Sequence, residues 1–208
     1  MTNLLTSSSW RFVVRNTQVF TRRRRRIVNT DSDEDDFVDD ILDSSSWTNS
    51  KSFMALSTKN SQLQHYQRCG ASDNVLKLVV QSSKSFGTIG EQMISEIFRL
   101  GKRTSTQNDG TFGNKKMEIK CARYWQGTDD CVWQHLEPGH DYELVICALL
   151  DFHGWKVWGV KKSLVFGDLR DRGVVTRQGT QGWWVMKSKI LPWLTSIRTV
   201  DELQKFIQ

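Results

Sequence analysis

The chain has 208 residues and a formal net charge of +6 at pH 7. This length allows one folded domain, or one domain with a tail. The basic charge favours a polyanionic partner, nucleic acid before an anionic membrane, although many soluble domains are mildly basic without one. No apolar run approaches the roughly 18 residues of a membrane span, so we expect no membrane partner. The four cysteines contain no C-x-x-C pair and indicate reduced thiols in an intracellular protein.

Residues 1–70 have the composition of a charged, Ser-rich tail. Residues 1–30 contain no Asp or Glu and include the run Arg22–Arg26. Eight acidic residues follow within residues 31–43. Blocks of like charge with Ser-rich flanks usually stay disordered. We therefore expect a disordered tail over residues 1–70 and a folded domain over residues 75–208.

The sequence allows several interpretations of this tail besides a plain solvated segment. The run Arg22–Arg26 is typical of a nuclear address, which would place the protein in the nucleus, or of a phosphate-binding arm. The Arg- and Ser-rich start is also typical of an organelle transit peptide. Apolar residues at helical spacing inside the acidic segment 31–43 could dock on a protein partner.

Apolar periodicity begins at about residue 75 and predicts the first elements of the domain. Alternation at Leu76, Leu78 and Val80 predicts a short strand. Residues 88–101 predict an amphipathic helix with Gly101 as its C-terminal cap. The apolar face of that helix is the set Ile89, Met93, Ile97 and Leu100.

The rest of the chain predicts strands and one more helix. The predicted strands are residues 111–112, 115–122, 142–150, 155–160 and 183–186. A capping box at Thr199 and Glu202 opens a C-terminal helix. This order predicts an α/β or α+β domain in which helices flank a mixed central β-sheet.

The stretch from Asn108 to Lys120 carries the chemistry. If Gly113-Asn114 is the two-residue loop of a type II′ hairpin, Asp109 faces Glu118 across the two strands. Directly opposed residues have Cβ atoms about 4.5–5.5 Å apart. Lys120 lies two residues beyond Glu118 and therefore on the same face of the sheet. The opposite, core-facing side is made by Met117, Ile119 and Cys121.

Two opposed carboxylates repel each other, and a divalent cation removes that repulsion. Mg²⁺ favours one or two carboxylates together with waters and phosphate oxygens, and Mn²⁺ is the expected substitute. Lys120 could then orient the attacking water or stabilise charge in the transition state. The alternative is a surface hairpin of mixed charges, and a longer turn would change the register.

At these residues the chain resembles the PD-(D/E)XK nuclease superfamily, which has the restriction-endonuclease-like fold. The matching pieces are Asp109 and then Glu118-Ile119-Lys120 after a hairpin-length gap, preceded by a helix. The resemblance covers roughly residues 75–165. It implies that Asp109 and Glu118 bind Mg²⁺ and that Lys120 assists hydrolysis. Asn108 stands where the motif name has Pro, a position at which family members vary.

The resemblance also implies two further site residues. A helix Glu before the motif Asp often contributes to the metal site, and Glu91 occupies that place. Glu91 is equally explained as the second residue of a capping box with Thr88, and Glu96 is another candidate. Many members carry a Gln shortly after the E-x-K strand, a place that Gln134 occupies.

Basic and amide side chains are expected to hold DNA around this site. Lys and Arg neutralise phosphates, and Arg and Gln can read base edges in the major groove. The alternative for the Gly-rich stretch 176–184 is a solvent loop. The candidate nucleic-acid-binding residues are Lys115, Lys116, Arg123, Lys161, Lys162, Arg177, Gln178 and Gln181.

Taken together, the residues and the resemblance predict a Mg²⁺-dependent DNA endonuclease of the restriction type. Restriction-type enzymes are often symmetric dimers, so a homodimer is an accompanying expectation. One alternative is a repair or junction-resolving nuclease of the same fold. Another is a non-catalytic nucleic-acid-binding or assembly protein, in which the basic tail binds and the E-I-K sequence is incidental.

Overall fold

The computed structural model of the protein describes residues 60–208. The greater part of the expected tail, including the run Arg22–Arg26 and the acidic segment 31–43, lies outside the described residues.

A helix, α1 (Ser61–Arg68), begins inside the segment expected to be tail. The Asn60 side chain caps its first turn by accepting hydrogen bonds from two backbone N–H groups. Leu63 and Tyr66 are fully buried in the core, and the Tyr66 hydroxyl donates a hydrogen bond to the backbone oxygen of Leu150. The folded region therefore begins before residue 70, and the predicted boundary at that residue is too late.

Helix α2 (Asp73–Val79) takes the place of the short strand predicted over residues 76–80. The strand prediction is wrong. Val75, Leu76 and Val79 are buried together, which is the spacing of one helical face. Three alternating apolar residues are too few to separate a period of about 2 from one of about 3.6.

Helix α3 (Ser83–Ile97) begins before the predicted range of 88–101. The Ser82 hydroxyl caps it by accepting a hydrogen bond of 3.2 Å from the Ser85 N–H. The capping box predicted at Thr88 and Glu91 is therefore wrong, because both residues lie within the helix. Glu91 consequently has no capping role.

The buried face and the end of α3 also differ from the prediction. Phe86, Gly90 and Ile94 are buried, one position out of phase with the predicted apolar face. Ile97, a member of the predicted face, is 48 % exposed. Arg99, with φ of 54°, takes the left-handed position that was expected at Gly101.

A mixed sheet of five strands forms the centre of the described region. The strands in chain order are β1 (Gly110–Phe112), β2 (Lys115–Arg123), β3 (Val132–Leu136), β4 (Leu144–Asp151), β5 (Gly154–Lys161), β6 (Val175–Arg177), β7 (Trp183–Met186) and β8 (Thr195–Ser196). The central sheet has the order β1-β2-β4-β5-β8. Strands β2 and β4 are parallel, and the other neighbours are antiparallel. The expectation of a mixed central sheet with flanking helices is confirmed.

A second sheet of three strands has the order β3-β7-β6. Short helical segments join the strands that follow β5. They are α4 (Lys162–Leu164), a π-helical turn (Val165–Leu169), α5 (Lys187–Ile190) and a 3₁₀ turn (Leu191–Trp193). The C-terminal helix α6 (Val200–Ile207) begins as predicted, with the Thr199 hydroxyl accepting the Glu202 N–H at 3.1 Å.

Every residue of β4 is buried, because apolar layers cover both faces of the central sheet. One layer contains Ile94 of α3 and Leu203 of α6. The other contains Trp133 of β3, whose indole N–H donates a hydrogen bond of 3.0 Å to the Ala148 carbonyl oxygen. This bond ties the second sheet to the central one. No helix among residues 60–208 is long and apolar enough to cross a membrane.

The packing of α3 on the sheet can be tested at Gly90. A Cβ atom there would lie 2.6 Å from Cys121 Sγ and 3.0 Å from the Trp155 ring. Such overpacking costs about 1–3 kcal/mol, which offsets or exceeds the gain of about 1 kcal/mol when Ala replaces Gly in a helix. We expect Gly90→Ala to lower the free energy of unfolding in urea by about 1 kcal/mol.

Gly87 on the same helix provides the matched control. A Cβ atom at Gly87 meets no atom within 4 Å, so only the helix-propensity gain remains. Gly87→Ala is expected to raise the free energy of unfolding by about 0.5–1 kcal/mol. Equal stabilities of the two variants would contradict the close contact at Gly90.

Candidate functional site

The hairpin that opens the site has the predicted register. Gly110 pairs with Met117 and Phe112 with Lys115, so Gly113-Asn114 is the two-residue loop. Gly113 has φ of 58°, and Asn114 is not among the residues with positive φ. A positive φ at the first loop position alone is the pattern of a type II′ turn.

Asp109 reaches β2 in a different way from the one predicted. The ladder ends at Gly110, because the Asp109 N–H donates to the carbonyl oxygen of Met117, the residue that already pairs with Gly110. The Asp109 carboxylate then folds over the strand, and Oδ2 accepts a 2.7 Å hydrogen bond from the Ile119 N–H. Asp109 is thus held against the E-x-K segment by its side chain rather than by direct pairing with Glu118.

Asn108 shapes the loop that delivers Asp109. This residue is 1 % exposed. Its amide oxygen accepts the Thr104 N–H at 3.1 Å, and its amide nitrogen donates to the Thr104 and Ser105 hydroxyls. The position at which the motif name has Pro is therefore occupied by a buried residue that closes a turn. A fixed turn directly before Asp109 limits where its carboxylate can go.

Glu118 and Lys120 share one face of β2, as their spacing predicts. Met117 and Ile119 are fully buried in the layer beneath α3, on the opposite face. Glu118 is 5 % exposed, and its Oε1 lies 2.5 Å from Lys120 Nζ. Burial raises the pKa of Glu118, the Lys120 ammonium lowers it, and Asp109 raises it further. A buried carboxylate, a second carboxylate and a lysine therefore interact at one place.

Glu91 joins this cluster from α3. Burial raises the pKa of Glu91 to about 7, and the nearby charges of Asp109 and Glu118 raise it while Lys120 lowers it. Glu96, the other helix candidate, is exposed and accepts a hydrogen bond of 3.3 Å from the Gln92 amide. The geometry therefore favours Glu91 over Glu96 as a member of the site. We refer to Glu91, Asp109, Glu118 and Lys120 as the carboxylate cluster.

A cleft of about 460 Å³ opens beside the cluster. Its lining includes Glu91, Lys120 and Gln134, three of the residues predicted for the site. Strand β1 pairs with β2 only up to Met117, so among the described strands none covers this edge of β2 beyond that residue. Lys120 to Arg123, in this part of β2, line the cleft.

His135 also lines the cleft, and sequence reasoning did not find it. Its φ is 59°, at a β-bulge where the pairing of β3 with β7 shifts between Trp133 and Leu136. His135 Nδ1 lies 2.8 Å from the Gln181 carbonyl oxygen. Since a carbonyl only accepts, Nδ1 carries the hydrogen and Nε2 is left to accept or exchange a proton. A bulge depends on both strands, and no local sequence signal marks it.

Several of the predicted DNA-binding lysines are engaged with protein groups. Lys115 pairs with Glu143 and Lys116 with Asp141, each at 2.5 Å. The Lys162 ammonium donates to the His140 carbonyl oxygen at 2.5 Å and lies over the Tyr142 ring. Lys161, by contrast, is exposed at the end of β5.

Of the remaining predicted DNA-binding residues, Arg123 lines the cleft and three lie in or beside one loop. The Arg123 guanidinium also donates to the carbonyl oxygens of Val79 and Gln81, so it anchors the end of α2. Arg177, Gln178 and Gln181 are exposed in and beside the loop between β6 and β7. The His135–Gln181 hydrogen bond holds this loop against β3.

The donor set fits a hard cation that takes few protein ligands. Among residues 60–208, no group of three or more His, Cys, Asp or Glu side chains is placed to hold a metal ion. Asp109 and Glu118 supply two carboxylates, and Asp109 Oδ1 has no hydrogen-bond partner within the described region. Mg²⁺ commonly uses one or two carboxylates and completes its shell with water and phosphate oxygens.

Comparisons with known proteins add no family assignment. A scan against protein-family models gave no match, and a search of the curated proteins gave none.

The burial of Glu91, together with the repulsion within the carboxylate cluster, predicts a pH-dependent stability of the metal-free protein. Because the folded-state pKa of Glu91, about 7, exceeds its ordinary value of 4.5, the folded state binds this proton more tightly than the unfolded state. Stability is therefore lost as the pH rises from about 4.5 through about 7. Glu91→Gln removes this loss. In EDTA, we expect the change in thermal midpoint caused by Glu91→Gln to be a few degrees more positive at pH 8 than at pH 4.5.

Glu96→Gln is the control, since it removes an exposed carboxylate from the same helix outside the cluster. Its effect on the midpoint should differ little between the two pH values. If Glu91→Gln and Glu96→Gln respond alike to pH, burial and the neighbouring carboxylates do not raise the pKa of Glu91.

Proposed function

We propose that this protein is a Mg²⁺-dependent nuclease that hydrolyses phosphodiester bonds in DNA, with the carboxylate cluster as its catalytic centre. The observation that carries the proposal is the meeting of Asp109, Glu118 and Lys120 beside an open cleft, with Glu118 buried at 5 % exposure. The resemblance to the PD-(D/E)XK superfamily assigns roles to the same three residues. Mn²⁺ is the expected substitute cation.

Asp109 and Glu118 would hold the cation. Glu91, the third carboxylate of the cluster, would interact electrostatically with it. When bound, Mg²⁺ supplies Lewis-acid polarisation of the phosphate and neutralises negative charge. The carboxylates would determine where the cation binds. Their own positions are fixed by the Asp109–Ile119 hydrogen bond and by the burial of Glu118. Such preorganisation matters because misplaced groups lose much of their effect on rate.

Lys120 would act on the phosphate from the cleft side. Its ammonium is tied to Glu118 at 2.5 Å and is partly exposed, so it can donate to a phosphate oxygen or orient the attacking water. Hydrolysis forms one bond from water oxygen to phosphorus and breaks one P–O ester bond. A proton moves from the attacking water to a base, and the leaving ester oxygen takes a proton from solvent and departs as a hydroxyl group. Glu91, with a pKa of about 7, is suited to accept the proton of the attacking water near neutral pH.

Cleavage of plasmid DNA by the full chain tests the proposal. The wild type is expected to nick or linearise plasmid with Mg²⁺ or Mn²⁺ and to leave it intact with EDTA. Lys120→Ala is expected to lower the rate on the order of 10²-fold or more, the usual cost of losing a preorganised donor to transition-state charge. Asp109→Asn and Glu118→Gln are expected to do the same. Far-ultraviolet circular dichroism would confirm that each variant folds.

Lys205→Ala is the charge-matched control, because Lys205 is exposed on α6 and has no part in the cleft. It should cut at the wild-type rate. A wild type that does not cut, or a Lys120→Ala variant that cuts equally fast, would overturn the assignment. Either outcome would favour a non-catalytic nucleic-acid-binding or assembly protein.

Cation binding can be measured without any cleavage. A cation that binds only the folded state stabilises it by about 2.7 kcal/mol at a concentration of about 100 times its Kd. We expect Mg²⁺ and Mn²⁺ to raise the thermal midpoint of the wild type, and expect Asp109→Asn and Glu118→Gln to lose most of that rise. Asp201→Asn, which removes an exposed carboxylate on α6, should keep it. An equal rise in all variants would place the bound cation elsewhere.

A further inference from the structure

A second pocket, of about 220 Å³, lies against the smaller sheet. All three strands of that sheet and the loop that follows β2 contribute residues to its lining. Its walls are mainly aromatic and aliphatic, with a few polar groups at the edge. The apolar residues used here are Trp125, Trp184 and Val132, and the polar ones are Gln178 and Lys189. We refer to this as the tryptophan pocket.

The tryptophan pocket adjoins the candidate catalytic cleft. Trp125 and Val132 line both cavities. Gln134 and His135 follow Val132 on β3 and line the cleft, on the side that also contains Lys120. A chain molecule with one group beside Lys120 could therefore extend past β3 and put its next group into the pocket.

The wall formed by the loop between β6 and β7 is held in place. The Gln178 N–H donates to the Gly182 carbonyl oxygen at 3.0 Å, and the Gln181 carbonyl oxygen accepts from His135 at 2.8 Å. The His135 ring also meets the Trp184 ring edge to face, with centroids 6.2 Å apart. The loop, the bulge in β3 and Trp184 thus support one another around the pocket mouth.

The chemistry of the pocket matches a flat aromatic group with polar edges that is attached to an anion. Trp125 is 41 % exposed, an unusual state for a large aromatic residue, and its ring is accessible from the pocket. The Gln178 amide can donate to and accept from a polar ring edge. Lys189 supplies a positive charge for a neighbouring phosphate.

We infer that the tryptophan pocket binds one unpaired nucleobase of a DNA strand whose adjoining phosphate lies in the cleft. This inference rests on the proposed nuclease function and narrows its substrate to DNA with an unpaired segment next to the scissile bond. A base inside continuous duplex is stacked on its neighbours and cannot offer a face to Trp125. A base in an extension, flap or junction arm can.

Binding of the full chain to labelled DNA in EDTA tests this inference separately from cleavage. The probes are a blunt duplex, the same duplex with a short unpaired extension at either the 3′ or the 5′ end, and the extended duplex with abasic nucleotides in the extension. We expect the wild type to bind one of the extended duplexes more tightly than the blunt one. Trp125→Ala should weaken that binding by about 5- to 100-fold, the usual range for loss of one stacked base, and should weaken binding of the blunt duplex much less.

Two variants and one substrate control make the test specific. Trp125→Phe keeps an aromatic ring and should retain most of the preference for the extension. Leu191→Ala removes a large apolar side chain that is equally exposed, at 41 %, outside both cavities, and should bind like the wild type. Abasic nucleotides in the extension should reproduce the effect of Trp125→Ala.

Three results would overturn the inference: no preference for an extension, equal loss of binding to the blunt and the extended duplex in Trp125→Ala, or undiminished binding when the extension is abasic. The nuclease proposal fails differently, by the absence of Mg²⁺-dependent cutting on every substrate. A protein that prefers the extension but does not cut would therefore keep the pocket and lose the catalytic assignment.

Discussion

The burial of Glu118 is the constraint on which the candidate site depends. A carboxylate with 5 % exposure must find opposite charge, because losing its hydration costs several kcal/mol, roughly, when nothing replaces the water. Lys120 meets that need from the same strand at 2.5 Å. Asp109 acts in the opposite sense, since it raises the pKa of Glu118 and of Glu91. Among residues 60–208, the three acidic groups therefore share one direct ion pair, that of Glu118 with Lys120.

The fold supplies this arrangement through the edge of the central sheet. Strand β2 is held on one side by β4 along most of its length, whereas β1 covers its other side only up to Met117. The uncovered edge gives the Asp109 carboxylate access to the Ile119 N–H and gives the cleft its opening. Helix α3 packs closely on Cys121 of β2 at Gly90. The next residue, Glu91, therefore lines the cleft together with Lys120. The strand pairing and the packing of α3 thus bring Glu91 on the helix close to Glu118 and Lys120 on β2.

The sequence predicted the parts of the site that depend on local rules. Gly113-Asn114 fixed the turn and its register, and a period of two placed Glu118 and Lys120 on one face. The phase of α3 could not be predicted, because it depends on Gly90 meeting Cys121, which is distant in sequence. The side-chain route of Asp109 and the bulge at His135 likewise depend on contacts between segments. Residues whose geometry is set by one hairpin were predictable, and those set by tertiary contacts were not.

A purely structural ion pair does not account for the whole cluster. A buried Glu–Lys pair can often be replaced by apolar residues without loss of stability, and Lys120 alone suffices to balance Glu118. Adding Glu91 carries an electrostatic cost, since burial and the neighbouring Asp109 and Glu118 raise its pKa, and Asp109 also raises the pKa of Glu118. Asp109 is nevertheless held there by the 2.7 Å bond to Ile119, behind a turn closed by the buried Asn108. A fold that keeps repelling charges together beside an open cleft is stabilised by whatever cation enters it. This is the physical reason to prefer a metal-dependent site to a charged surface hairpin.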